Sequence, residues 1–518
     1  MTSPRRTAEA GRGQRRALTT LCAVLFLTFL DTTIVSVALA DVQVTLHAGV
    51  SQLQWIVNAY ALVFASLMLM AGSLSDRFGR KRLLLAGLAV FCAGSLVGAL
   101  ATSPSMLIAG RAVMGLGAAA SEPGTLSILR HLYPEQSSRA KALGAWAAVS
   151  GLALAAGPVV GGALVGLGTW RSVFWFNLAA GVLLMAAAKV TLPESSDPTS
   201  ARLDVAGFLL GTLAIASLTF AVIVGETSGY RAGEVIALFA VGVAAAFGFV
   251  VAELLARSPM LDLRYLRRPQ FSGALIVAFT LFFGIFSIFF FTALYLQVVV
   301  NYSGYRVALE FLPMAAAMIV ASLLAGRWVA EIGPRIPMAA GAAFAGAGIL
   351  LSDVVLGAGS PSNWLILTLA MAGVGFGTSV VPVTSVALGV VPAERSGMAA
   401  SATNTSRELG AVFGVAVLGA LVNGHLTNDL SARLHALGIP SAFQAIVIGA
   451  VETGGIPANA SAEAKRYGAI VDKVIHAAYG AFHAGLHIAL LASGLAIIGG
   501  ALVALATLGS RSGEAPGA

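Results

Sequence analysis

The sequence predicts an all-α integral membrane protein, and three observations carry that prediction. Of 518 residues, 58% are hydrophobic and 10% are charged, where a soluble globular chain carries about 25% charged residues. The apolar residues fall in long runs rather than short alternating ones, and a transmembrane helix needs about 20 of them. The third observation is the 59 glycines, because small residues let helices approach closely in lipid. Backbone groups in hydrocarbon are satisfied only within helices or closed barrels, and runs of this length choose the helix.

About 14 runs reach spanning length. In order they are Leu18 to Leu39, Leu53 to Leu74, Leu83 to Ala101, Met106 to Ile128, Ala142 to Leu167, Val173 to Leu192, Val205 to Val224 and Val235 to Leu255. Phe271 to Leu296, Val307 to Ala330, Ile336 to Leu356, Trp364 to Val390, Met398 to Val422 and Phe482 to Leu508 follow. The first run follows Arg15 and Arg16 and ends at Ala38-Leu39-Ala40, which resembles the cleavage site of a secretory leader. Its length and the interrupting Asp31 favour an uncleaved first helix.

Orientation follows from the basic residues of the short loops. Arg5, Arg6, Arg12, Arg15 and Arg16 precede the first run. Arg77, Arg80, Lys81 and Arg82 follow the second, Arg130, Arg139 and Lys141 the fourth, and Arg257, Arg264, Arg267 and Arg268 the eighth. The other side offers little beyond Arg171, Arg231 and Arg306, so both termini are expected in the cytoplasm, in a multi-pass cell-membrane protein. This scatter also argues that the net charge of +8 does not mark a nucleic-acid partner. Cys22 and Cys92 lie inside apolar runs, which leaves no disulfide framework and no metal-ligand spacing.

The expected organisation is a basic tail (1–17), six helices (18–192), two inserted helices (193–270), six more helices (271–508) and a second tail (509–518). Residues 424–481 then form a long outer loop, read as a partly ordered cap or a substrate-capturing domain. Its apolar stretches, such as Ala442 to Val451, are too short to span. An internal repeat relates the six-helix units. Ala71-Gly72-Ser73-Leu74-Ser75-Asp76-Arg77-Phe78-Gly79-Arg80 aligns without gaps to Ala325-Gly326-Arg327-Trp328-Val329-Ala330-Glu331-Ile332-Gly333-Pro334. Gly87 meets Gly341, and Gly115 and Gly117 are matched to Gly375 and Gly377.

Within the loop Gly72 to Arg82 the glycines permit a tight turn and close helix approach. Asp76 is positioned to pair with an arginine or to cap a helix N-terminus carrying partial positive charge, a latch that breaks when the halves rock. The alternative is a loop that only sets topology. Asp31, in Leu30-Asp31-Thr32-Thr33-Ile34-Val35-Ser36-Val37-Ala38-Leu39, sits roughly 20 Å from the basic end of its helix. An ionisable group at that depth is expensive and normally functional, unless the helix end is wet. In the fourth run Arg111 lies at a comparable depth and is the expected partner of Asp31. Glu122 shares its face but lies about three turns away.

In the fifth run Gly151 precedes Gly157-Pro158-Val159-Val160-Gly161-Gly162. The proline removes a backbone donor and can kink the helix, while the glycines are expected to pack across the interface between the halves. Trp170-Arg171-Ser172-Val173-Phe174-Trp175-Phe176-Asn177 reads as an aromatic interface anchor. Asn404, Arg407 and Glu408 form a polar cluster in the thirteenth run, of which Arg407 or Glu408, not both, would line a cavity. Phe282, Phe286 and Phe289 share one face of the ninth run, suited to an aromatic substrate or to lipid. With Asn58 they complete the candidate substrate contacts. His483 and His487 have i, i+4 spacing but no third ligand, and read as a satisfied interfacial pair.

These stretches resemble the drug:proton antiporters of the major facilitator superfamily, in the branch with fourteen helices. The loop Gly72 to Arg82 is similar to the superfamily's signature loop, with Gly72, Asp76, Arg77, Gly79 and Arg80 as the conformational latch. The Asp31 and Arg111 segments look like the branch's first- and fourth-helix motifs. Gly151, Gly157, Pro158, Gly161 and Gly162 resemble the signature of exporters, with Ala153 where many members carry glycine. The resemblance implies two pseudo-symmetric six-helix bundles with two inserted helices. It implies proton coupling through Asp31, Arg111 and Glu122, with no cofactor and the proton gradient as driving force. The implied partners are a small-molecule substrate, protons and the bilayer, for a monomeric exporter of amphipathic drug-like compounds. A facilitator or uptake carrier is the alternative. A membrane enzyme or sensor would need a catalytic constellation that the sequence lacks, as it lacks the Gly-x-x-x-x-Gly-Lys-Ser/Thr loop of an ATP-driven pump.

Overall fold

The computed structural model describes residues 4–48, 50–195, 204–256, 259, 261–300, 302, 304–357, 363–392, 395–437 and 469–509. Each apolar run falls on a helix of its own, the ninth on a helix in three pieces: α1 (Pro4–Leu46), α2 (Val50–Phe78), α3 (Arg80–Ala99), α4 (Pro104–Leu132), α5 (Gln136–Leu167), α6 (Arg171–Thr191), α7 (Val205–Ser228) and α8 (Gly233–Leu255). Then come α9 (Pro269–Ser287), α10 (Gly304–Ile332), α11 (Arg335–Gly357), α12 (Asn363–Val390), α13 (Ser396–Ala436) and α14 (Ala469–Thr507). α9 continues through a π-helical stretch, Ile288–Thr292, into a last piece, Ala293–Val298.

Among the described residues, 11 helices are by themselves long and apolar enough to cross a bilayer, or 12 with α2, which bends by 50°. α4 and α5 fall outside that set although they are 29 and 32 residues long. Arg111 and Glu122 lower the hydropathy of α4. Length and mean hydropathy thus part company where the interior is polar.

Hydrogen bonds gather the basic loops onto one face. Gln14 donates to the Leu132 carbonyl, Arg130 to that of Val391, Arg268 to that of Val390 and Arg335 to that of Leu505. On the opposite face Trp170 is not an exposed anchor but fully buried. Its amide donates to Asp41, its indole to Thr45, and Arg171 lies over its ring while donating to the Ala101 carbonyl. The knot forms because indole N–H and guanidinium both find acceptors inside the bundle.

Helices α1–α6 pack on one another, as do α9–α14, and the halves meet chiefly through α2 with α13 and α5 with α10. α7 and α8 pair outside, with α7 against α2 and α13 and Trp55 of α2 in ring contact with Phe220 at 5.2 Å. Much of α8, including Phe247 and Leu255, is exposed, as expected of a surface meeting lipid tails.

Close glycine contacts correct the register of the repeat in α12. Gly115 sits against the Tyr60 carbonyl and Gly373 against that of Met314; Gly117 sits against Gly87 and Gly375 against Gly341. The counterparts of Gly115 and Gly117 are therefore Gly373 and Gly375, two residues before the positions matched from sequence. Gly-x-Gly recurs at both places, and only packing separates them.

The expected outer loop is partly helix. α13 runs to Ala436 and α14 starts at Ala469, and Leu426, Leu430 and Leu434 pack on Ala477, Ala478 and Ala481 as a separate small core. Residues 438–468, with Ala442 to Val451, lie outside the described set. The basic N-terminal tail is likewise helical from Pro4, consistent with cheap propagation from an existing helix.

Candidate functional site

Two buried polar clusters and one latch organise the interior. Asp31 of α1 is 0% exposed. One carboxylate oxygen accepts from Arg111 of α4 and the other from Asn177 of α6, the latter at 2.6 Å. The Arg111 Nε donates to the Ile56 carbonyl at 3.0 Å, and its guanidinium lies 4.5 Å over the Tyr60 ring, whose hydroxyl donates to the Thr28 carbonyl. Removing one partner of such a buried pair costs about 3–5 kcal/mol, because the other charge stays unpaired. Asn58, in the same turn of α2, is half-buried.

α5 backs this cluster from behind. A Cβ at Gly157 would fall 1.9 Å from Thr33 Oγ1, and one at Gly161 2.7 Å from the Ile34 carbonyl. These glycines therefore bring α5 against α1 of the same half, not across the interface. Gly151 alone of the set meets the other half, against Met318 of α10. Gly162 is exposed, and the Pro158 ring lies outside the described side chains.

The second cluster joins the halves. Glu122 of α4 and Asn404, Arg407 and Glu408 of α13 are all buried. Arg407 donates to Asn404 Oδ1 at 3.1 Å and to the Thr384 hydroxyl, and its guanidinium lies over Trp146 at 5.2 Å and Phe282 at 5.5 Å. α4, which carries Glu122, packs against α13, which carries the other three. Both Arg407 and Glu408 thus face the interior, contrary to the expectation that only one could. α13 packs against α2, α4, α9, α12 and α14, so neighbouring positions on it are both enclosed. Phe282 stacks on Phe286 at 5.9 Å, but Phe289 pairs instead with Phe311 of α10 at 5.0 Å. The π-helical stretch beginning at Ile288 shifts the register, so the three rings do not form one face.

The latch lies at the basic face. Asp76 accepts from Arg80 at 2.7 and 2.9 Å and from the backbone amides of Gly397 and Met398 in the first turn of α13. Arg80 also donates to Ser396, and Ser401 links the Gly72 amide to the Met68 carbonyl. Arg77 instead lies over Phe78. Gly79 has φ +105°, a backbone that favours glycine, and Glu194 fills the space beside it while accepting from the Lys81 amide at 3.1 Å. His483 and His487 do not pair with each other. His487 contacts Asp353 at 2.6 Å and His483 meets Tyr295 edge-on. Among the described residues no three His, Cys, Asp or Glu side chains converge on a metal-sized site.

Sequence reasoning missed the roles of Asn177, Tyr60, Trp146 and Glu194. Asn177 carried a signal, being an amide in an apolar run, whereas the other three are ordinary residues until their neighbours are known.

The profile described as Major Facilitator Superfamily matches residues 21–415. The chain is 34% identical to the "Multidrug resistance protein Stp" of Mycobacterium tuberculosis (strain CDC 1551 / Oshkosh), over 81% of this chain and 78% of that one. It is 33% identical to the "Methylenomycin A resistance protein" of Streptomyces coelicolor, over 84% and 93%. It is also 33% identical to the "Cephamycin export protein CmcT" of Amycolatopsis lactamdurans, over 84% and 91%. Among solved structures, a bacterial homologue of the human lysosomal transporter Spinster superposes with TM-score 0.60 at 18% identity, covering 96% of this chain and 97% of that one. The human organic anion transporter MFSD10 does so with TM-score 0.59 at 17% identity, covering 92% and 99%. At these identities the two structures speak for the fold alone.

Proposed function

The chain belongs to the major facilitator superfamily, and on that footing we propose that it exports amphipathic, antibiotic-like molecules in exchange for protons. The names of its relatives support export. The observation that carries proton coupling is the buried Asp31, held by Arg111 and Asn177 inside an apolar bundle. A carboxylate there is costly unless it works.

With the basic face read as cytoplasmic, the latch and the contacts of Arg130 with Val391 close that side. This conformation is then the one that opens outward. All fourteen helices span the cell membrane, both termini are cytoplasmic, and the chain works as a monomer without a cofactor. Protonation of Asp31 from outside loosens its bond to Arg111 and frees the substrate. Deprotonation toward the cytoplasm restores the pair for the next substrate, so proton and substrate exclude one another.

Asp31→Asn keeps the volume and removes the titration. In inverted vesicles it is expected to abolish uphill, proton-driven accumulation of substrate, while equilibrium binding persists. Wild-type accumulation by Asp31→Asn would refute the coupling role.

A further inference from the structure

Two clefts on the basic face flank the start of α13, and their charges differ. One, of about 330 Å³, is lined by Arg264, Arg268 and Arg395 together with Asp262, whose carboxylate already takes up Arg264 and Arg395. The other, of about 230 Å³, is lined by Arg80, Arg130, His131, Pro134, Arg139 and Ser396, with no carboxylate among the described residues that line it. Three of its four basic groups have a local reason to be there. Arg80 is held by Asp76 and Ser396. Arg130 and His131 stand in the last turn of α4, where the helix end carries partial negative charge and favours cations. Arg139 has no such reason. It is the fourth residue of α5, which begins at Gln136, so it stands at a helix end that disfavours cations. Its Nη1 donates to the Pro134 carbonyl at 3.3 Å, its Nε is buried without a partner, and burial pushes the guanidinium below its ordinary range. The nearby carboxylate, Glu135, turns instead to Ser137 and Ser138 at 2.9 and 3.0 Å. A buried donor left open beside Arg80, Arg130 and His131 calls for an acceptor that the chain itself does not supply.

We infer that this second cleft is a binding site for one phosphate-type oxyanion, held by Arg139, Arg130 and Arg80 and roofed by Ser396 of the other half. The guanidinium fork matches two phosphate oxygens at once, and charge-assisted bonds of this kind are about twice as strong as neutral ones. The space suits the ligand, since a water occupies about 30 Å³ and the cleft therefore holds one tetrahedral oxyanion with part of its hydration. A soluble phosphate and the headgroup of an anionic phospholipid share this chemistry, and a basic face at the membrane surface meets both. The inference goes beyond the export reading and does not depend on it, because the cleft lies at the basic face whichever way cargo moves.

Position ties the site to conformation. Arg80, Arg130 and Arg139 belong to the half made of α1–α6, and Ser396 opens α13 in the other half. The Ser396 hydroxyl accepts from Arg80 at 3.0 Å, which leaves its own O–H to donate. When the basic face parts, that donor leaves with α13 and water enters the cleft. An oxyanion thus has one more donor in the closed face than in the parted one, and a ligand shifts a conformational equilibrium by its difference in affinity between the states. One hydrogen bond of difference biases the face toward closure roughly 2- to 10-fold. The Asp76 latch supplies the fixed part of closure, and the oxyanion a part set by its concentration.

The test is amide exchange of the purified full-length protein in phosphatidylcholine nanodiscs, with inorganic phosphate titrated against sodium chloride at equal ionic strength. Phosphate is expected to slow exchange in the first turn of α13 saturably, by roughly 2- to 10-fold, and chloride to leave it unchanged. A second arm replaces part of the lipid with phosphatidylglycerol and omits phosphate. Protection there identifies the headgroup as a source, protection only with added phosphate identifies the soluble ion, and either supports the site. Arg139→Gln is expected to raise the half-saturating phosphate concentration at least about tenfold, and His131→Glu, at an exposed position, roughly 2- to 5-fold. Arg264→Gln, in the neighbouring cleft, is expected to keep the wild-type midpoint. Absent protection in both arms, equal protection by chloride, or an unchanged midpoint in both Arg139→Gln and His131→Glu would each overturn the proposal. A response lost in Arg264→Gln and kept in Arg139→Gln would place the anion in the other cleft and overturn it too. None of these outcomes touches the export reading, which stands or falls on transport by Asp31→Asn.

Discussion

Gly72 in α2 and Gly326 in α10 hold equivalent places in the two halves, and each presses its backbone against the other half. A Cβ at Gly72 would lie 2.4 Å from the Gly397 carbonyl of α13, and one at Gly326 2.6 Å from the Ala140 carbonyl of α5. The same loops then turn through Gly79 and Gly333, with φ +105° and +80°. Yet Asp76 is matched by Ala330, and among the described residues the ionic latch exists on one side only. The reason lies in the partner helices. Gly397 and Met398 are in the first turn of α13, which begins at Ser396, so their amides have no intrahelical acceptor. Ala140 is already in the second turn of α5, which begins at Gln136, and its amide is spent within the helix. Backbone packing is symmetric, and charge is placed only where free N–H groups await it.

The strongest way to break this comparison is to fill both glycines. Overpacking a tight contact costs about 1–3 kcal/mol, or roughly 5- to 150-fold in an equilibrium. Gly72→Val and Gly326→Val are therefore expected to hinder closure of the basic face and to lower transport to a similar degree, measured as initial rates in vesicles at matched expression. Tolerance of Gly326→Val beside a dead Gly72→Val would show that packing is as asymmetric as charge.

A smaller effect isolates the charge. Asp76→Asn keeps the shape of the latch but replaces charge-assisted bonds with neutral ones, a loss of about 1–2 kcal/mol. Amide exchange in the first turn of α13 is expected to rise roughly 5- to 30-fold, with slower transport and intact membrane insertion. Ala330→Asp, facing amides already bonded, is expected to change transport less than about twofold. If Ala330→Asp restored the rate of Asp76→Asn, the account of the asymmetry would be wrong.

How much of this was legible in the sequence depended on the kind of signal. Asp31, Arg111 and Asp76 stood out because charge is rare in apolar runs, and depth alone brought Asp31 and Arg111 together. The helix order was legible from run length. The packing of α4, with Glu122, against α13, with Glu408, was not, since the two positions lie 286 apart in the sequence, and helical phase argued against Arg407 and Glu408 both facing inward. The departure of Phe289 from the aromatic face needs a π-helical stretch that no periodicity announces. The arms of α13 and α14 were hidden because Leu426, Leu430 and Leu434 are spaced for a helix but set among polar residues, so a hydropathy reading ends at Val422.

The smallest expected effect concerns what holds the start of α13 in place for Asp76. Asp262, in the connection between α8 and α9, is buried. It accepts from Arg395 at 2.6 Å and from the Arg264 side chain and amide at 3.0 and 3.1 Å. Arg395 immediately precedes Ser396, so the clamp positions the amides that Asp76 uses, and the start of α5 has no equivalent among these contacts. Burial alone would push the Asp262 carboxyl up, but the bonds from Arg264 and Arg395 outweigh it and hold it below the usual range. A carboxylate depressed in the folded state adds stability above its unfolded value, near 3.9, and loses it only as pH falls through the lower folded value. The clamp is therefore complete at any pH from about 5 to 8. Because Arg264 is largely and Arg395 partly solvent-exposed, the contribution is about 0.2–1 kcal/mol. Asp262→Asn is expected to raise amide exchange in the first turn of α13 by roughly 1.5- to 5-fold, less than Asp76→Asn, and to leave the first turn of α5 unchanged. Wild-type protection, corrected for intrinsic exchange, is expected to be equal at pH 5.5 and 7.5. A loss of protection on going to pH 5.5 that Asp262→Asn does not share would mean that the carboxyl titrates in that window, and the sign argued here would be reversed.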